Sequence, residues 1–347
     1  MRRKFYLPMM MASALVLAAC GDDTTTEETN GGAATTEDDE PVELRIGVVV
    51  GDWSPHYQGA QAWADALDEQ TDGNISLTVF PDGQLGGERE MLEAVQNGSL
   101  DLGLISSAVY SIFEPAMSVI DIPFLVSDFD EAEALMDGPA GEELSALMLE
   151  NGIRNLAWGH NDFRVITNNN RAVETPEDLS GVKMRVPESK VLADWYAELG
   201  TMATPMPFPD IYAALQQGVV DGQDNGPILS YAARFFEHQD YLAVTNHQYS
   251  PIGFFISERV WENLSENQQE VLQSTALEAA EVERQAIRDF NETSITSMEE
   301  EGLEVFHPTD EEREAFKDTT THLVDEIRAE AGDELTDLVI QEAGYEQ

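Results

Sequence analysis

Apolar residues recur along this chain in short runs separated by amphipathic stretches, the pattern of strands alternating with helices. Val42 to Val50 (VELRIGVVV) is a strand-like run, and the loop Gly51-Asp52-Trp53-Ser54-Pro55-His56 sits at its C-terminal end. Tyr57 to Asp68 is amphipathic, with Ala60, Trp63, Ala64 and Leu67 on one face. Ile75 to Phe80 alternates as a strand and runs into the turn residues Pro81-Asp82-Gly83. Glu88 to Gln96 reads as a helix, Ile120 to Phe124 as an extended segment, and Glu131 to Glu150 as a helix broken around Gly138-Pro139. Asn155 to Gly159 and Arg164 to Thr167 read as strands. Thr175-Pro176-Glu177-Asp178 opens a helical turn, with an N-cap, a proline at the first position and acids beside the dipole. Val182 to Val186 is a strand carrying Lys183 and Arg185 on the same side. Val191 to Leu199 reads as a helix and Tyr241 to Ser257 as extended chain.

One unit of this pattern occurs twice. Pro209 to Gln217 reads as a helix, with Ile211, Tyr212 and Leu215 at helical spacing and Gly218 where a left-handed stop is wanted. Val219-Val220 then enter a buried strand that ends in the polar run Asp221-Gly222-Gln223-Asp224-Asn225. Ala94 to Asp101 (AVQNGSLD) matches Ala214 to Asp221 (ALQQGVVD) position by position in residue type. A helix–Gly–x–x–Asp–strand unit used twice implies two similar α/β lobes. Polar groups at strand ends of an open α/β sheet face a ligand crevice, and two such crevices face to face form a clamp. Ser265 starts a long helix, with Gln268 at capping-box spacing. Val271, Leu272, Ala276, Ala279, Val282, Ile287 and Phe290 supply its apolar positions, and Gly302 stops it. Roughly 30 residues or more at about 1.5 Å each exceed one lobe, so this helix bridges both. A last helical stretch, Glu311 to Ile340, packs on the outside.

Composition adds habitat and address. Of 347 residues, 67 are acidic and 18 basic, for a net charge of −49. Nucleic acid and anionic membrane surfaces are repelled by such a chain and are excluded as partners. The excess is tolerable in strong salt, where the screening length shrinks to about 3 Å at 1 M, and it points to a high-salt habitat. Arg2, Arg3 and Lys4 precede a short apolar core, Leu7 to Val16, in the form of a signal segment. Leu17-Ala18-Ala19-Cys20-Gly21 resembles a bacterial lipobox, so residues 1–19 are expected to be removed and Cys20, the only cysteine, to carry lipid. With no second cysteine, a disulfide within the chain is excluded. Asp22 to Pro41 holds no aromatic or large aliphatic residue and is expected to be a disordered tether.

The chemistry points to binding rather than turnover. G-x-S-x-G, H-E-x-x-H, phosphate-loop and dinucleotide motifs are all missing from the sequence. The six histidines (His56, His160, His238, His247, His307, His322) show no close ligand pairing, and no carboxylate pair stands out from the acidic background, so neither a metal nor a cofactor is expected. Arg185 lies in a predicted interior strand, where an unpaired cation is costly. Its guanidinium wants a planar carboxylate held by two parallel hydrogen bonds, supplied either by the protein as a salt bridge or by a ligand. Arg164 lies on a neighbouring strand. Asn225, at the end of the second Gly–x–x–Asp strand, is either a ligand contact or a turn residue. Phe208, between two prolines, is either a core aromatic or a rigid wall for a ligand.

Three segments carry a resemblance: FPDGQLGGEREMLEAVQNGSLDLG, TPEDLSGVKMRVP and PMPFPDIYAALQQGVVDGQDN. In order and spacing they resemble the solute-binding proteins of TRAP transporters (the dicarboxylate-binding-protein periplasmic family), over nearly the whole of the chain from Val42 to Gly332. The resemblance implies an α/β, two-lobed periplasmic-binding-protein clamp, with lobe 1 formed by residues 42–161 and 250–289 and lobe 2 by residues 162–249 and 290–341. It implies that Arg185, in the K-x-R strand, takes the substrate carboxylate two-pronged, that Arg164 is the second arginine, that Asn225 helps hold Arg185 and the ligand, and that Phe208 lines the pocket. Trp53, Glu188 and Ser106 join this ligand-binding set. Glu188 stands where some sugar-acid binders carry a neutral amide, and Ser106 and Val109 stand where those binders carry charge, which implies a smaller carboxylate than a sialic acid. The family's D-G-Q-E-N-P run is here Asp221-Gly222-Gln223-Asp224-Asn225-Gly226-Pro227, with one residue more before the proline. The function implied is that of a monomeric, lipid-anchored extracytoplasmic subunit, not an enzyme, which closes on a small organic acid and delivers it to integral-membrane subunits. The alternative is an ABC-type or sensory binding protein for a small carboxylate or amino acid.

Overall fold

The computed structural model describes residues 40–345. The signal segment and Cys20 lie outside them, as does nearly all of the tether.

Eleven strands run through the described residues: β1 (Val42–Val48), β2 (Ile75–Phe80), β3 (Leu102–Ser106), β4 (Ile153–Phe163), β5 (Val165–Asn168), β6 (Lys183–Val186), β7 (Met202–Pro205), β8 (Gly222–Asn225), β9 (Tyr241–Ala243), β10 (Tyr249–Ser257) and β11 (Glu304–Phe306). They form a five-stranded sheet ordered β2-β1-β3-β10-β4 and a six-stranded sheet ordered β11-β9-β5-β8-β6-β7. In the first, β1 runs parallel to β2 and β3, and β10 lies antiparallel between β3 and β4. In the second, β6 is parallel to both β7 and β8, and β5 is antiparallel to β8 and β9.

Local chemistry sets the helices. Ser54 caps Pro55–Gln70 by accepting from Tyr57 N at 3.1 Å, with proline at the first position, and the helix buries Ala60, Trp63, Ala64 and Leu67. Glu88–Asn97 stops at Gly98, whose left-handed φ of 78° is open to glycine because it has no Cβ. Ser265 and Gln268 form a full capping box on the helix Glu266–Glu300, whose 35 residues span about 52 Å. Its first half packs on Pro55–Gln70 and β4 through Val271, Leu272, Ala276 and Ala279, while Ile295 and Met298 join Val165 and Leu242 of the second sheet. Val282 and Phe290, expected on the buried face, are 47% and 46% exposed; the inward positions there are Glu283 and Ile287.

Other expectations are corrected. Ile120–Phe124 is not a strand: Pro115–Asp121 is 3-10 helix, and Phe124 adopts φ 59°. The second repeated unit places its strand later than its apolar pair; Val219 is 53% exposed, and the strand is the polar run Gly222–Asn225 itself, wholly buried. Tyr241–Ser257 divides into β9 and β10. The C-terminal stretch is three helices, Asp310–Asp318, Leu323–Ala331 and Asp333–Glu342, the last two separated by Gly332 at φ 85°. The last two, which the sequence groups with lobe 2, pack largely on Pro115–Asp121 and Pro139–Glu150, because Leu323, Val324, Ile327, Leu335 and Val339 join the core that Leu144 and Met148 build there.

The sheets are linked by an antiparallel ribbon. β4 pairs with β10 up to Phe163↔Tyr249, Arg164 N donates to Gln248 O at 2.9 Å, and β5 pairs with β9 beyond. Where β4 passes into β5, Asp162 adopts φ 103°, a left-handed value rare outside glycine. Its Oδ1 accepts from Phe163 N at 2.8 Å and Asn291 Nδ2 at 2.6 Å, which holds the turn to the long helix. A Cβ on Gly226 would come within 2.5 Å of the Asp162 side chain. Gly226, just before Pro227, therefore leaves room for this junction.

Trp63 is wholly buried, 5.7 Å from the Phe254 ring, and donates its indole N–H to Thr275 Oγ1 at 3.0 Å. Trp63→Ala is expected to cost about 3–5 kcal/mol, read as the drop in unfolding free energy in urea melts at high salt.

Candidate functional site

Between the sheets lies a cavity, part of it open to solvent, with about 400 Å³ of empty space between its walls. The ends of β1 and β3 and the N-termini of two helices form its lobe 1 wall, with Val48, His56, Glu88 and Ser106. Lobe 2 brings Arg185 at the end of β6, Phe208, and Asn225 at the end of β8; Asn161 and Arg164 enter from the linking ribbon. Arg164, Arg185, Asn225, Phe208 and Ser106 thus meet on one cavity. Glu188 stands half-buried nearby, and Trp53 lines an adjoining aromatic cleft with Phe208, Tyr212 and Phe235. Cys20 lies outside the described residues.

The two arginines have different partners. Arg164 is committed to Asp224: Nε donates to Oδ2 at 3.1 Å, and Nη2 to Oδ1 at 2.9 Å and to the backbone O at 2.7 Å. Both side chains are buried. Burial alone would raise the Asp224 carboxyl, but Arg164 and the hydrogen bond from His247 hold it well below the usual carboxylate range. His247 stays neutral, lowered mainly by burial; its Nε2 donates to Asp224 Oδ2 at 3.2 Å and its Nδ1 accepts from Thr245 Oγ1 at 2.8 Å.

Arg185 has no such partner. It is 4% exposed and takes part in none of the ion pairs among the described residues. Nε and Nη2 donate to Met206 O at 2.9 and 2.7 Å, and Nη1 to Asp224 O at 3.2 Å. A guanidinium has five N–H groups. These bonds leave one on each terminal nitrogen, the pair a carboxylate takes side by side. Burial, followed by repulsion from Arg164, lowers Arg185 to about 9. An anion seated there would relieve both. Carbonyls, not the amide of Asn225, orient Arg185; that amide makes no hydrogen bond among the described residues and stays available at the cavity wall.

Ser106 is already engaged: its N–H donates to Glu88 Oε1 at 2.7 Å and its Oγ to Glu88 Oε2 at 2.9 Å. Glu188 is raised by burial first, then by Glu90 and Glu88 against the pull of Arg89. Phe208 packs against Phe235 with ring centroids 5.6 Å apart and the rings tilted by 52°, which fixes it as a wall.

Glu88, His56 and Asn161 escaped the sequence reading. Glu88 opens a helix after Gly86-Gly87 inside a quoted motif, which is a usable signal in retrospect; His56 and Asn161 had none. His56 Nδ1 lies 2.8 Å from Glu283 Oε1 and Nε2 2.9 Å from Asn161 Oδ1. Asn161 turns its nitrogen to Ser250 Oγ at 3.2 Å, so both His56 nitrogens donate and the ring carries both protons. Burial opposes that charge, and Glu283 outweighs it, leaving His56 raised. The network continues from Ser250 to Ser107 (3.2 Å) and on to Asp121 (3.4 Å). Asp121 is fully enclosed and also accepts from Ser189 Oγ at 2.8 Å and Gln248 Nε2 at 3.0 Å, joining both lobes and the ribbon. No cluster of three or more His, Cys, Asp or Glu among the described residues is placed to hold a metal ion.

The lobes also touch. A Cβ on Gly83 would stand 3.4 Å from the Pro209 ring, and one on Gly87 3.5 Å from Pro207 Cβ. A glycine-rich loop of lobe 1 therefore meets a proline-rich loop of lobe 2 beside the cavity.

The family described as bacterial extracellular solute-binding protein, family 7 (DctP) matches residues 46–331. The chain is 33% identical over 275 residues to the 2,3-diketo-L-gulonate-binding periplasmic protein YiaO of Escherichia coli strain K12, covering 79% of this chain and 83% of that protein. Among solved structures, the sugar acid binding protein DctPAm of Advenella mimigardefordensis, in complex with galactonate, superposes with a TM-score of 0.86 at 29% identity, over 88% of this chain and 99% of its own. A TRAP periplasmic solute-binding protein of Polaromonas sp. JS666, bound to D-erythronate, gives 0.82 at 35% identity, over 87% of this chain and 98% of its own.

Burial raises Asp121 from 3.8 to about 7. The folded state then holds this proton more tightly than the unfolded chain, so the contribution is intact below about pH 4 and lost as pH rises through about 7. Asp121→Asn removes that loss. Thermal melts at high salt are expected to show the melting-temperature difference, variant minus parent, climbing from about pH 5 to pH 8; a flat difference contradicts the assignment.

Proposed function

The chain belongs to bacterial extracellular solute-binding protein family 7, and from that membership we propose that it captures a small organic acid outside the cytoplasm by closing two lobes on it and delivers it to integral-membrane TRAP subunits. The observation that carries the reading is Arg185, a buried cation on the cavity wall whose counter-charge the protein does not supply. The galactonate and D-erythronate held by similar proteins support an acid as its partner.

In this reading Arg185 takes the ligand carboxylate on its two remaining N–H groups. Arg164, neutralised by Asp224, fixes the Asp224 carbonyl that orients Arg185 and adds no net charge. Asn225 offers its amide to the ligand and Phe208 packs on its carbon skeleton, while Glu188 and Trp53 act at the margins. The acid touches both lobes at once, so it binds the closed arrangement better than the open one and shifts the population toward it.

The lobe division follows the two sheets, with the ribbon through Asp162 and Gln248 as hinge. Cys20 carries the lipid that holds the tethered, monomeric protein at the outer membrane-water boundary of the cell that makes it. An excess of 49 negative charges repels an anionic ligand at long range, and strong salt screens that repulsion, so local geometry sets affinity. The family is one of transport proteins, and the site offers positioning groups rather than an acid–base pair aimed at a reacting bond.

Thermal shifts of the untethered protein in high salt, over a panel of organic acids, amino acids and neutral sugars, test the reading. One acid class is expected to stabilise the protein by about 2.7 kcal/mol at 100 times its Kd. Arg185→Ala is expected to weaken that acid about a hundredfold or more. A response confined to neutral sugars, or an acid response that survives Arg185→Ala, overturns it.

A further inference from the structure

One anion on the cavity wall has no ion-pair partner among the described residues. Glu88 lines it from the lobe 1 side, at the first residue of Glu88–Asn97, and none of the ion pairs among the described residues involves it. Its carboxylate is not free to swing. Ser106 N and Oγ clamp one oxygen each, at 2.7 and 2.9 Å, and Ser106 is itself 3% exposed at the end of β3. A carboxylate offers about four lone-pair sites, so two remain for a ligand. The positive groups around the cavity are otherwise committed: Arg164 to Asp224 at 2.9 Å and His56 to Glu283 at 2.8 Å. Among the residues that line the cavity, that leaves Arg185 as the open cation and Glu88 as the open anion, beyond ion-pair distance of each other.

We propose that Glu88, held in place by Ser106, makes this a pocket for a hydroxylated monocarboxylate and excludes dicarboxylates; the inference rests on Arg185 taking the ligand carboxylate. With that carboxylate on Arg185, the far part of the ligand lies toward lobe 1 and meets Glu88. A second carboxylate there faces a fixed like charge in a buried site, with no open cation to offset it. A hydroxyl donates to Glu88, and the uncommitted amide of Asn225 donates to or accepts from another. An α-amino acid fits less well, because its ammonium is one carbon from the carboxylate and would stand against Arg185. Ser106 does not contact ligand in this arrangement. It is a positioning residue for Glu88.

Calorimetric titration at high salt with three four-carbon acids, D-erythronate, butyrate and succinate, tests this. The parent protein is expected to bind D-erythronate at least ten-fold tighter than succinate, with butyrate weaker than D-erythronate. Glu88→Gln is expected to weaken D-erythronate at least ten-fold and to leave succinate unchanged or tighter, so the selectivity ratio collapses. Ser106→Ala, which leaves the Glu88 charge but removes one clamp, is expected to weaken D-erythronate several-fold, and Ser106→Thr to restore it; thermal melts verify that each variant is folded. Succinate binding as tightly as D-erythronate in the parent, or a ratio unchanged in Glu88→Gln, overturns the Glu88 assignment while acid binding that depends on Arg185 leaves the carboxylate reading intact. No binding of any of the three acids overturns the Glu88 assignment, and equal acid binding by Arg185→Ala overturns both.

Discussion

A cation buried without a counter-charge is the constraint on which the cleft depends. Taking a guanidinium out of water is unfavourable unless an anion and hydrogen bonds replace its hydration. The molecule contains both solutions within one sheet. Arg164 receives a two-pronged carboxylate and a neutral histidine behind it, and becomes part of the frame. Arg185, one strand away, receives only carbonyl oxygens. Its proton is held less firmly as a result, and the charge of Arg164 adds to the strain. The frame is thus built to keep one positive charge in an unsatisfied state, which lets an incoming anion contribute strongly.

That Asp224 commits Arg164 and leaves Arg185 open is not legible in the residue types, although both arginines are. The decision rests on register. β8 sets Asn225 opposite Val165 and Asp224 opposite Ile166, and alternate residues of a strand face opposite ways, so the amide points to the cavity and the acid to Arg164. The repeated Gly–x–x–Asp unit and the long helix were readable because each is a local pattern, periodicity with a stop. The strand Gly222–Asn225 was misplaced by two to three residues because a fully buried strand made only of polar side chains has no hydrophobic signature; its justification is the hydrogen-bonded surroundings of Gln223 and Asp224. Glu88 was missed for a related reason. Its clamp on Ser106 joins residues 18 apart that meet only once the intervening helix and strand have folded.

The acidic exterior and the interior obey different rules. Most basic residues of the described chain hold carboxylates, as Arg154 does Glu258 at 2.7 Å and Arg284 does Asp137 at 2.7 Å, and such pairs soften repulsion on a surface poor in basic residues. Inside, acids are tolerated by neutralisation or by donors. Asp121 gathers three donors from three segments, and Asp162 is raised to about 7 by burial while holding a left-handed turn. Both sit where the lobes join, so the joint is made of polar groups in fixed directions and not of interchangeable apolar packing.

The seam where Gly83 and Gly87 meet Pro209 and Pro207 has an entropic meaning. Side chains that are pressed together on closure ordinarily lose rotamer freedom, about 1.5–2 kcal/mol for a long one such as lysine or glutamate, but glycine and proline have almost none to lose. Bringing these loops together therefore leaves the disorder of the two lip surfaces nearly unchanged. Opening and shutting are then close to balanced in the entropy of the lips themselves. The hold on the solute then resides in the few polar groups of the cavity and not in the lips that cover it.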